Sequence, residues 1–182
     1  MTPRSISPFS NRFFGAATAL LLAACGGGTT QAEETASSVP YSVSEAGRFN
    51  EPWAMAFLPD GRALVTEKSG QLKLWRDKGN VTPVSGAPTA SSAGQGGLGD
   101  VVLHPDFARN RMVYLSWVEA EGDVKGAAVG RARLIEDSAG ARLDGLEIIW
   151  RQSPKVTGNG HFGHRIAFGP DGMLYISSGE RQ

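Results

Sequence analysis

The stretch HRIAFGPDGMLYISS, residues 164–178, decides the fold because its pattern occurs twice earlier in the chain. Each copy is an apolar segment, a Pro-Asp pair and a second apolar segment, and the earlier copies are WAMAFLPDGRALVTE from residue 53 and LGDVVLHPDFARNRMVYLSWV from residue 98. The pairs begin at residues 59, 105 and 170, which gives spacings of 46 and 65 residues. Units of β-strands that recur at about this spacing are typical of a β-propeller.

The Pro-Asp-Gly turns explain how each repeat reverses direction. Proline fixes its own φ, aspartate accepts hydrogen bonds from nearby backbone N–H groups, and glycine adopts positive φ at little cost. We therefore expect hairpins to close at Asp60-Gly61 and at Asp171-Gly172. The middle copy has FARN at residues 107–110 in place of glycine, so we expect a longer turn there.

The apolar segments divide the chain into units of four strands, the number found in one propeller blade. The first predicted blade comprises Trp53–Leu58, Ala63–Glu67, Gln71–Trp75 and Val81–Val84. The second comprises Leu98–His104, Met112–Val118, Ala127–Leu134 and Leu146–Arg151, and a third unit of two strands begins at His164. The sequence thus predicts an all-β propeller with about two and a half blades present. Because propellers close with about 4 to 8 blades, we expect this chain to be the N-terminal part of a longer protein.

The composition is that of one globular domain without a strong electrostatic preference. The chain has 182 residues, and its 18 basic and 18 acidic side chains cancel. This balance gives no reason to expect binding to nucleic acid or attraction to an anionic membrane surface. The 24 glycines and 10 prolines favour many short strands joined by turns over a helical bundle.

The first 24 residues are typical of a signal peptide. Basic residues precede an apolar run from Phe13 to Ala24, which at twelve residues is too short to cross a membrane as a helix. The run ends in LAAC, which resembles the signal box of bacterial lipoproteins and implies that Cys25 becomes the lipidated first residue of the mature protein. Cys25 is the only cysteine, so it has no disulfide partner; the alternative is a plain secretory signal with a chance cysteine.

Residues 25–40 are small and polar and predict a flexible tether between the anchor and the domain. The propeller domain is then expected over residues 41–182. This organisation predicts a protein of the bacterial cell envelope that is lipid-anchored and faces the periplasm, or is secreted. The membrane would be reached through the lipid alone.

Two polar, glycine-rich loops precede the inner strands of the second and third repeats. They are SSAGQGGL, residues 91–98, and TGNGHFG, residues 157–163. Propeller loops at one end of the axis converge, so we expect these two loops to share a pocket. Glycine lets backbone approach a ligand closely, and Gln95 and His161 supply the long polar side chains.

A carboxylate stands at the other end of the last hairpin from His161. His161 precedes the outgoing strand and Glu180 follows the returning strand, so the hairpin brings both to the same edge. A neutral histidine accepts a proton near physiological pH, and a carboxylate on its other nitrogen fixes the tautomer and stabilises the imidazolium. The alternative is that His161 is a structural or solvated loop residue and that Glu180 is a solvated turn residue.

Three segments together resemble one enzyme family. The stretches PWAMAFLPDG, GQGGLGDVVLHPDF and GNGHFGHRIAFGPDGMLYISSGE are similar in order and spacing to soluble pyrroloquinoline quinone (PQQ)-dependent aldose dehydrogenases of the glucose/sorbosone dehydrogenase family. The resemblance covers roughly residues 45 to 182. It implies a six-bladed propeller that holds the quinone above its central axis and oxidises an aldose sugar at the anomeric carbon to the lactone.

The resemblance also implies roles for individual residues. His161 matches the general base that takes the proton of the anomeric hydroxyl as hydride passes to the quinone. Glu180 matches the acidic residue that supports this histidine, and it is an Asp in the best-known soluble glucose enzyme. Gln95 matches a glutamine that lines the sugar and cofactor pocket, and Asn159 is a further candidate contact for substrate or cofactor.

Two neighbours of the predicted base receive different interpretations. Arg165 matches an arginine that we interpret as structural, and His164 is assigned no role. The remaining quinone ligands and the calcium ligands that the family implies are expected beyond Gln182, so we expect residues 1–182 alone to be inactive. The sequence does not identify the sugar or the electron acceptor.

Two other functions remain open at this point. A calcium-dependent lactonase-like hydrolase would need carboxylates and amides that converge on a metal, for which the loops offer Glu180 and Asn159. A non-catalytic propeller that serves as a binding module would be expected to carry substitutions at His161 and Gln95, and none is present.

Overall fold

The computed structural model describes residues 40–181, and the structural statements below refer to that part of the chain. The predicted signal peptide, most of the tether and Cys25 lie outside the described residues. Residues 43–181 belong to one compact unit.

The described chain contains ten strands in three repeats. The first blade comprises β1 (Pro52–Phe57), β2 (Ala63–Glu67), β3 (Gln71–Trp75) and β4 (Val81–Ser85). The second comprises β5 (Leu98–Leu103), β6 (Met112–Glu121), β7 (Val124–Asp137) and β8 (Gly140–Arg151), and the third unit has β9 (Gly163–Phe168) and β10 (Leu174–Ser178). Consecutive strands within each repeat pair antiparallel. The predicted all-β propeller architecture with two blades and half of a third is therefore confirmed.

The turns follow the predicted chemistry. Gly61 and Gly172 have φ values of 86° and 78°, in the region that favours glycine. The carboxylates of Asp60 and Asp171 accept hydrogen bonds from the backbone N–H two residues later, at 3.2 and 3.0 Å. In the middle repeat, α1 (Phe107–Asn110) forms the longer turn. Within residues 40–181, no helix has the length and apolarity needed to cross a membrane.

Three strands of the second blade, β6, β7 and β8, are longer than the sequence predicts, whereas β5 ends one residue earlier than predicted. The predicted segment Ala127–Leu134 lies inside β7, which runs Val124–Asp137. Apolar alternation marks only the buried middle of the hairpin, whereas the backbone ladder with β6 continues to the pair Glu121 and Val124. Hydrogen bonding between strands therefore maintains the hairpin beyond the packed core.

The outer strands of the two complete blades also pair with each other. β4 and β8 run parallel through the pairs Val84–Ala141 and Ser85–Arg142, which joins the blades into one curved sheet of eight strands. The chain leaves β4 against the backbone of β8, where a Cβ on Gly86 would lie 2.4 Å from the carbonyl oxygen of Leu143. Only glycine fits that approach.

The main core lies between the two blades. Every residue of β2 and six consecutive residues of β6 are buried, whereas burial alternates along β3. The largest buried side chains of this core include Leu64, Leu72, Leu74, Leu115 and Trp117. Burial of a leucine contributes about 1.5–3 kcal/mol relative to exposure. This core fixes the two blades and, with them, the loops at their ends.

A smaller cluster attaches the third unit to the second blade. Ile166 of β9 packs with Tyr114 and Val129, and the rings of Tyr114 and Phe168 meet edge to face with centroids 5.0 Å apart. The strand β9 is thereby fixed beside the second blade. The loop that precedes β9 consequently lies beside the loop that precedes β5.

Candidate functional site

The two glycine-rich loops are in direct contact, as the repeat pattern predicts. The backbone N–H of Gln95 donates to the carbonyl oxygen of Asn159 at 2.8 Å. A Cβ on Gly94 would lie 2.4 Å from the same oxygen, so the first loop can approach only with glycine there. The two loops, residues 91–98 and 157–163, therefore form one continuous rim at this end of the inner strands.

His161 is held on this rim through both its backbone and its side chain. Its backbone N–H donates to Oε1 of Gln95 at 2.8 Å, and its φ of 50° lies in the left-handed region. Its Nδ1 hydrogen-bonds to Oε1 of Glu180. The contact between His161 and Glu180 that the hairpin geometry predicts is present.

Close backbone packing brings Glu180 to the histidine. The N–H of Gly179 donates to the carbonyl oxygen of Phe162 at 3.1 Å. A Cβ on Gly179 would lie 1.9 Å from the carbonyl oxygen of His161, and a Cβ on Gly163 would lie 2.8 Å from the nitrogen of Gly179. Both glycines are required by this approach, which presents the next residue, Glu180, to the imidazole.

The electrostatics of the pair define which nitrogen of His161 is basic. The hydrogen bond from His161 lowers the pKa of Glu180 below its ordinary value, so the exposed carboxylate is ionised at neutral pH. An ionised carboxylate only accepts hydrogen bonds. The neutral imidazole therefore carries its proton on Nδ1, and Nε2 is left as the acceptor.

A cavity of about 370 Å³ opens beside the pair. The residues that line it include the two predicted residues Gln95 and His161, together with Trp53, Lys68, Phe162 and His164. Glu180 and Asn159 are not among the lining residues. Glu180 thus contacts the imidazole from outside the cavity wall, and Asn159 is exposed beside it and contacts the neighbouring loop. Its role as a substrate or cofactor contact stays a prediction.

His164 lies buried next to the cavity, although the sequence gives it no role. It is 2% exposed, its ring centroid lies 5.0 Å from that of Trp53, and a Cβ on Gly99 would lie 2.1 Å from its Cε1. Ser116 donates through Oγ to the carbonyl oxygen of His164 at 2.6 Å. Burial lowers the pKa of His164 to about 4, so the ring is neutral at physiological pH.

A buried carboxylate ties the third unit to the second blade just below the rim. Asp100 is 3% exposed and accepts hydrogen bonds from the backbone of Ile166 and from Nη1 of Arg165, both at 2.9 Å. The guanidinium of Arg165 also lies 4.9 Å from the centre of the Trp53 ring. These contacts fix the start of β9, from which the His161 loop extends.

The position of residues within the repeat indicates two of the residues that line the cavity, Trp53 and His164. Trp53, Gly99 and His164 each stand six residues before the proline of their Pro-Asp pair. The same position of successive inner strands converges in the structure, where His164 lies between Trp53 and Gly99. Lys68 has no such signal, because it follows β2 and reaches the cavity through the packing of the first blade against the loops.

The described part of the chain offers no obvious metal centre. Among residues 40–181, no group of three or more His, Cys, Asp or Glu side chains is arranged to hold a metal ion. The candidate site in the described residues comprises the hydrogen-bonded pair of His161 and Glu180 and the cavity beside it.

Comparison with known families gives one match over most of the chain. The family model described as Glucose / Sorbosone dehydrogenase matches residues 49–182. A curated relative, aldose sugar dehydrogenase YliI of Escherichia coli (strain K12), is 43% identical over 136 residues, which cover 73% of this chain and 36% of the relative.

Solved structures give a similar result. A structure titled glucose dehydrogenase has a TM-score of 0.68 and 42% identity, with 75% of this chain and 42% of that chain covered. The PQQ-bound form of aldose sugar dehydrogenase from Streptomyces coelicolor has a TM-score of 0.64 and 34% identity, with 75% and 40% covered. The chain thus spans less than half the length of these proteins.

Proposed function

The chain belongs to the glucose/sorbosone dehydrogenase family, and from this premise we propose that it carries the general base of a PQQ-dependent dehydrogenase that oxidises an aldose to its lactone. The observation that carries the proposal is the hydrogen-bonded pair of His161 and Glu180 at the mouth of the cavity. The E. coli relative is named an aldose sugar dehydrogenase, and the Streptomyces structure is titled as PQQ-bound. Both names support a sugar substrate and this quinone.

The cavity residues fit one side of such a cofactor. PQQ is a flat aromatic quinone with three carboxylates, so it needs apolar faces for its rings and cations for its edge. The indole of Trp53, which is 36% exposed, offers an aromatic surface, and Lys68 offers a cation among the lining residues. Glycines at the rim allow close approach of backbone to a planar ligand. These residues would hold the quinone together with groups from outside the described residues.

The reaction requires one proton and one hydride to leave the sugar. The anomeric hydroxyl loses its proton while the hydrogen on the same carbon leaves with its electron pair, and the C–O bond becomes the carbonyl of the lactone. When bound, the quinone supplies the acceptor for that hydride. His161 removes the hydroxyl proton through Nε2, the nitrogen that does not face Glu180.

The neighbours of His161 orient it and stabilise its charged form. Glu180 fixes the tautomer and stabilises the imidazolium that forms after proton transfer. Gln95 accepts the backbone N–H of His161 and thereby holds the loop at the rim. Calcium, which the resemblance implied, finds no ligand cluster among residues 40–181, and no step is assigned to it.

Activity of the full-length protein tests the proposal. We expect PQQ to confer aldose-dependent reduction of a dye, and His161→Ala to lower kcat by at least about a hundredfold, the scale of a general base. His104→Ala is the matched control, because His104 lies at the opposite end of β5 from the Gln95 loop and contacts Asn110. Loaded protein that oxidises no aldose, or a His161→Ala variant with unchanged kcat, would refute the proposal.

A further inference from the structure

Arg181, the residue after Glu180, reaches under the loop that carries His161. Its Nε donates to the carbonyl oxygen of Gly160 at 3.0 Å, and its Nη2 donates to that of Gly158 at 3.3 Å. Its Nη1 donates to the carbonyl oxygen of Lys125 at 2.8 Å. One guanidinium therefore connects the His161 loop to the first residues of β7 in the second blade.

The flat face of the same guanidinium is also occupied. It lies 3.7 Å from the centre of the ring of Phe162, the residue after His161, and that ring is 2% exposed. A cation over an aromatic face is stabilised by the ring quadrupole. Arg181 thus contacts residues on both sides of His161, with donors on Gly160 and a stacked face on Phe162.

The loop needs such support because its backbone is strained. His161 has a φ of 50° and Arg181 has a φ of 67°, and neither is glycine. Non-glycine residues in this region cost of order 1 kcal/mol each and persist when their surroundings fix them. Three donors in a rigid plane hold carbonyls in defined directions, which a lysine ammonium on a flexible stem does not do.

We propose that Arg181 is a positioning residue that sets the orientation of the His161–Glu180 pair by clamping the His161 loop to the second blade. It touches neither the cavity nor the pair's nitrogen and oxygen atoms, so its effect passes through the loop. A small displacement of a catalytic group is sufficient to lower turnover by as much as about a hundredfold. The effect on turnover rests on the proposed function; the effect on the state of the His161 ring does not.

The test compares three arginine variants of the full-length protein. Arg181→Met removes the donors and keeps an apolar stem, and Arg181→Lys keeps the charge without the planar fork. Arg111→Met is the matched control, because Arg111 also lies over a phenylalanine ring, that of Phe107 at 4.8 Å, at the opposite end of β5 from the cavity loops.

Two readouts separate positioning from general loss of stability. We expect Arg181→Met to lower kcat about 10- to 100-fold with KM changed by less than about threefold, and Arg181→Lys to fall between Arg181→Met and the unsubstituted protein. In ¹⁵N spectra of the imidazoles, the His161 signal is assigned as the one that disappears in His161→Ala. In Arg181→Met, we expect this signal to change from the Nδ1–H form toward a mixture of tautomers. Arg111→Met should leave both readouts unchanged.

The outcomes distinguish this inference from the proposed function. If the protein oxidises no aldose, the proposed function fails, and the ¹⁵N spectrum of His161 still decides whether Arg181 positions the ring. An Arg181→Met variant with the unsubstituted protein's His161 spectrum would overturn the clamp. If Arg181→Met does not fold, Arg181→Lys replaces it, and a folded Arg181→Lys with unchanged spectrum and kcat overturns the clamp equally.

Discussion

Three neighbours determine the position and orientation of His161. Gln95 holds its backbone, Glu180 holds its ring nitrogen, and Gly179 allows the returning chain to pass close enough for both. The sequence predicts the pair with Glu180 because a hairpin returns to the edge it left. It does not predict the backbone contact with Gln95, since that depends on how two loops from different repeats approach each other.

The charge of Glu180, more than its hydrogen bond, should matter for turnover. Glu180→Gln keeps an oxygen that can accept from Nδ1, but it removes the negative charge that stabilises the imidazolium. We therefore expect kcat to fall by about 10- to 100-fold with little change in KM. Because the pKa of Glu180 is lowered by His161, the carboxylate stays ionised throughout the neutral range and the loss should persist there.

A matched carboxylate controls for the loss of one surface charge. Glu147 is also exposed and hydrogen-bonds a basic side chain, that of Arg131, at 2.9 Å on the second blade. Glu147→Gln should leave kcat unchanged in the same steady-state assay. If Glu180→Gln behaves like Glu147→Gln, the carboxylate has no role in the proton transfer.

At the scale of elements, the inner strands determine which side chains meet at the cavity. Trp53, Gly99 and His164 occupy the same repeat position. The imidazole of His164 packs there against the Trp53 ring on one side and against the backbone of Gly99 on the other. Gly99 has no side chain because the imidazole of His164 fills that space. Alignment of the three repeats would be sufficient to predict that these three positions lie close together. It does not indicate that His164 is buried and neutral.

Other features of the elements have no counterpart in the sequence pattern. The parallel contact between β4 and β8 consists of only two residue pairs, so it leaves no periodic signal. The extra length of β6 and β7 comes from backbone hydrogen bonds between residues without apolar alternation. Arg181 was missed for a related reason, because it binds carbonyl oxygens, which every residue has, and no spacing of residue types marks them.

At the scale of the whole molecule, we propose that the chain is anchored to the bacterial cell envelope through a lipid on Cys25. The proposal rests on the LAAC ending of the apolar run and on Cys25 being the only cysteine. We expect the protein to incorporate a labelled fatty acid and to sediment with membranes. Cys25→Ser should abolish both without changing aldose oxidation by the purified protein, whereas label retained in Cys25→Ser would contradict the proposal.

His164 links the stability of the molecule to pH, because it is the point where the first, second and third repeats meet through Trp53, Gly99 and its own strand. Its ordinary pKa of 6.5 applies in the unfolded chain, and burial lowers the pKa to about 4 in the folded protein, while Asp100 and Arg165 act in opposite directions. As the pH falls below 6.5, the unfolded chain binds a proton on His164 and the folded protein does not, which favours unfolding. The stability that is present above pH 6.5 is therefore lost progressively down to about pH 4.

A pKa difference of this size corresponds to about 3 kcal/mol. We expect the free energy of unfolding of the full-length protein, measured with urea between pH 7 and about pH 4, to fall by that amount more than in His164→Phe. The phenylalanine keeps a ring between Trp53 and Gly99 but does not titrate, so its own pH dependence reports the other groups. Equal losses in both proteins would mean that protonation of His164 is not what weakens the junction of the three repeats in acid.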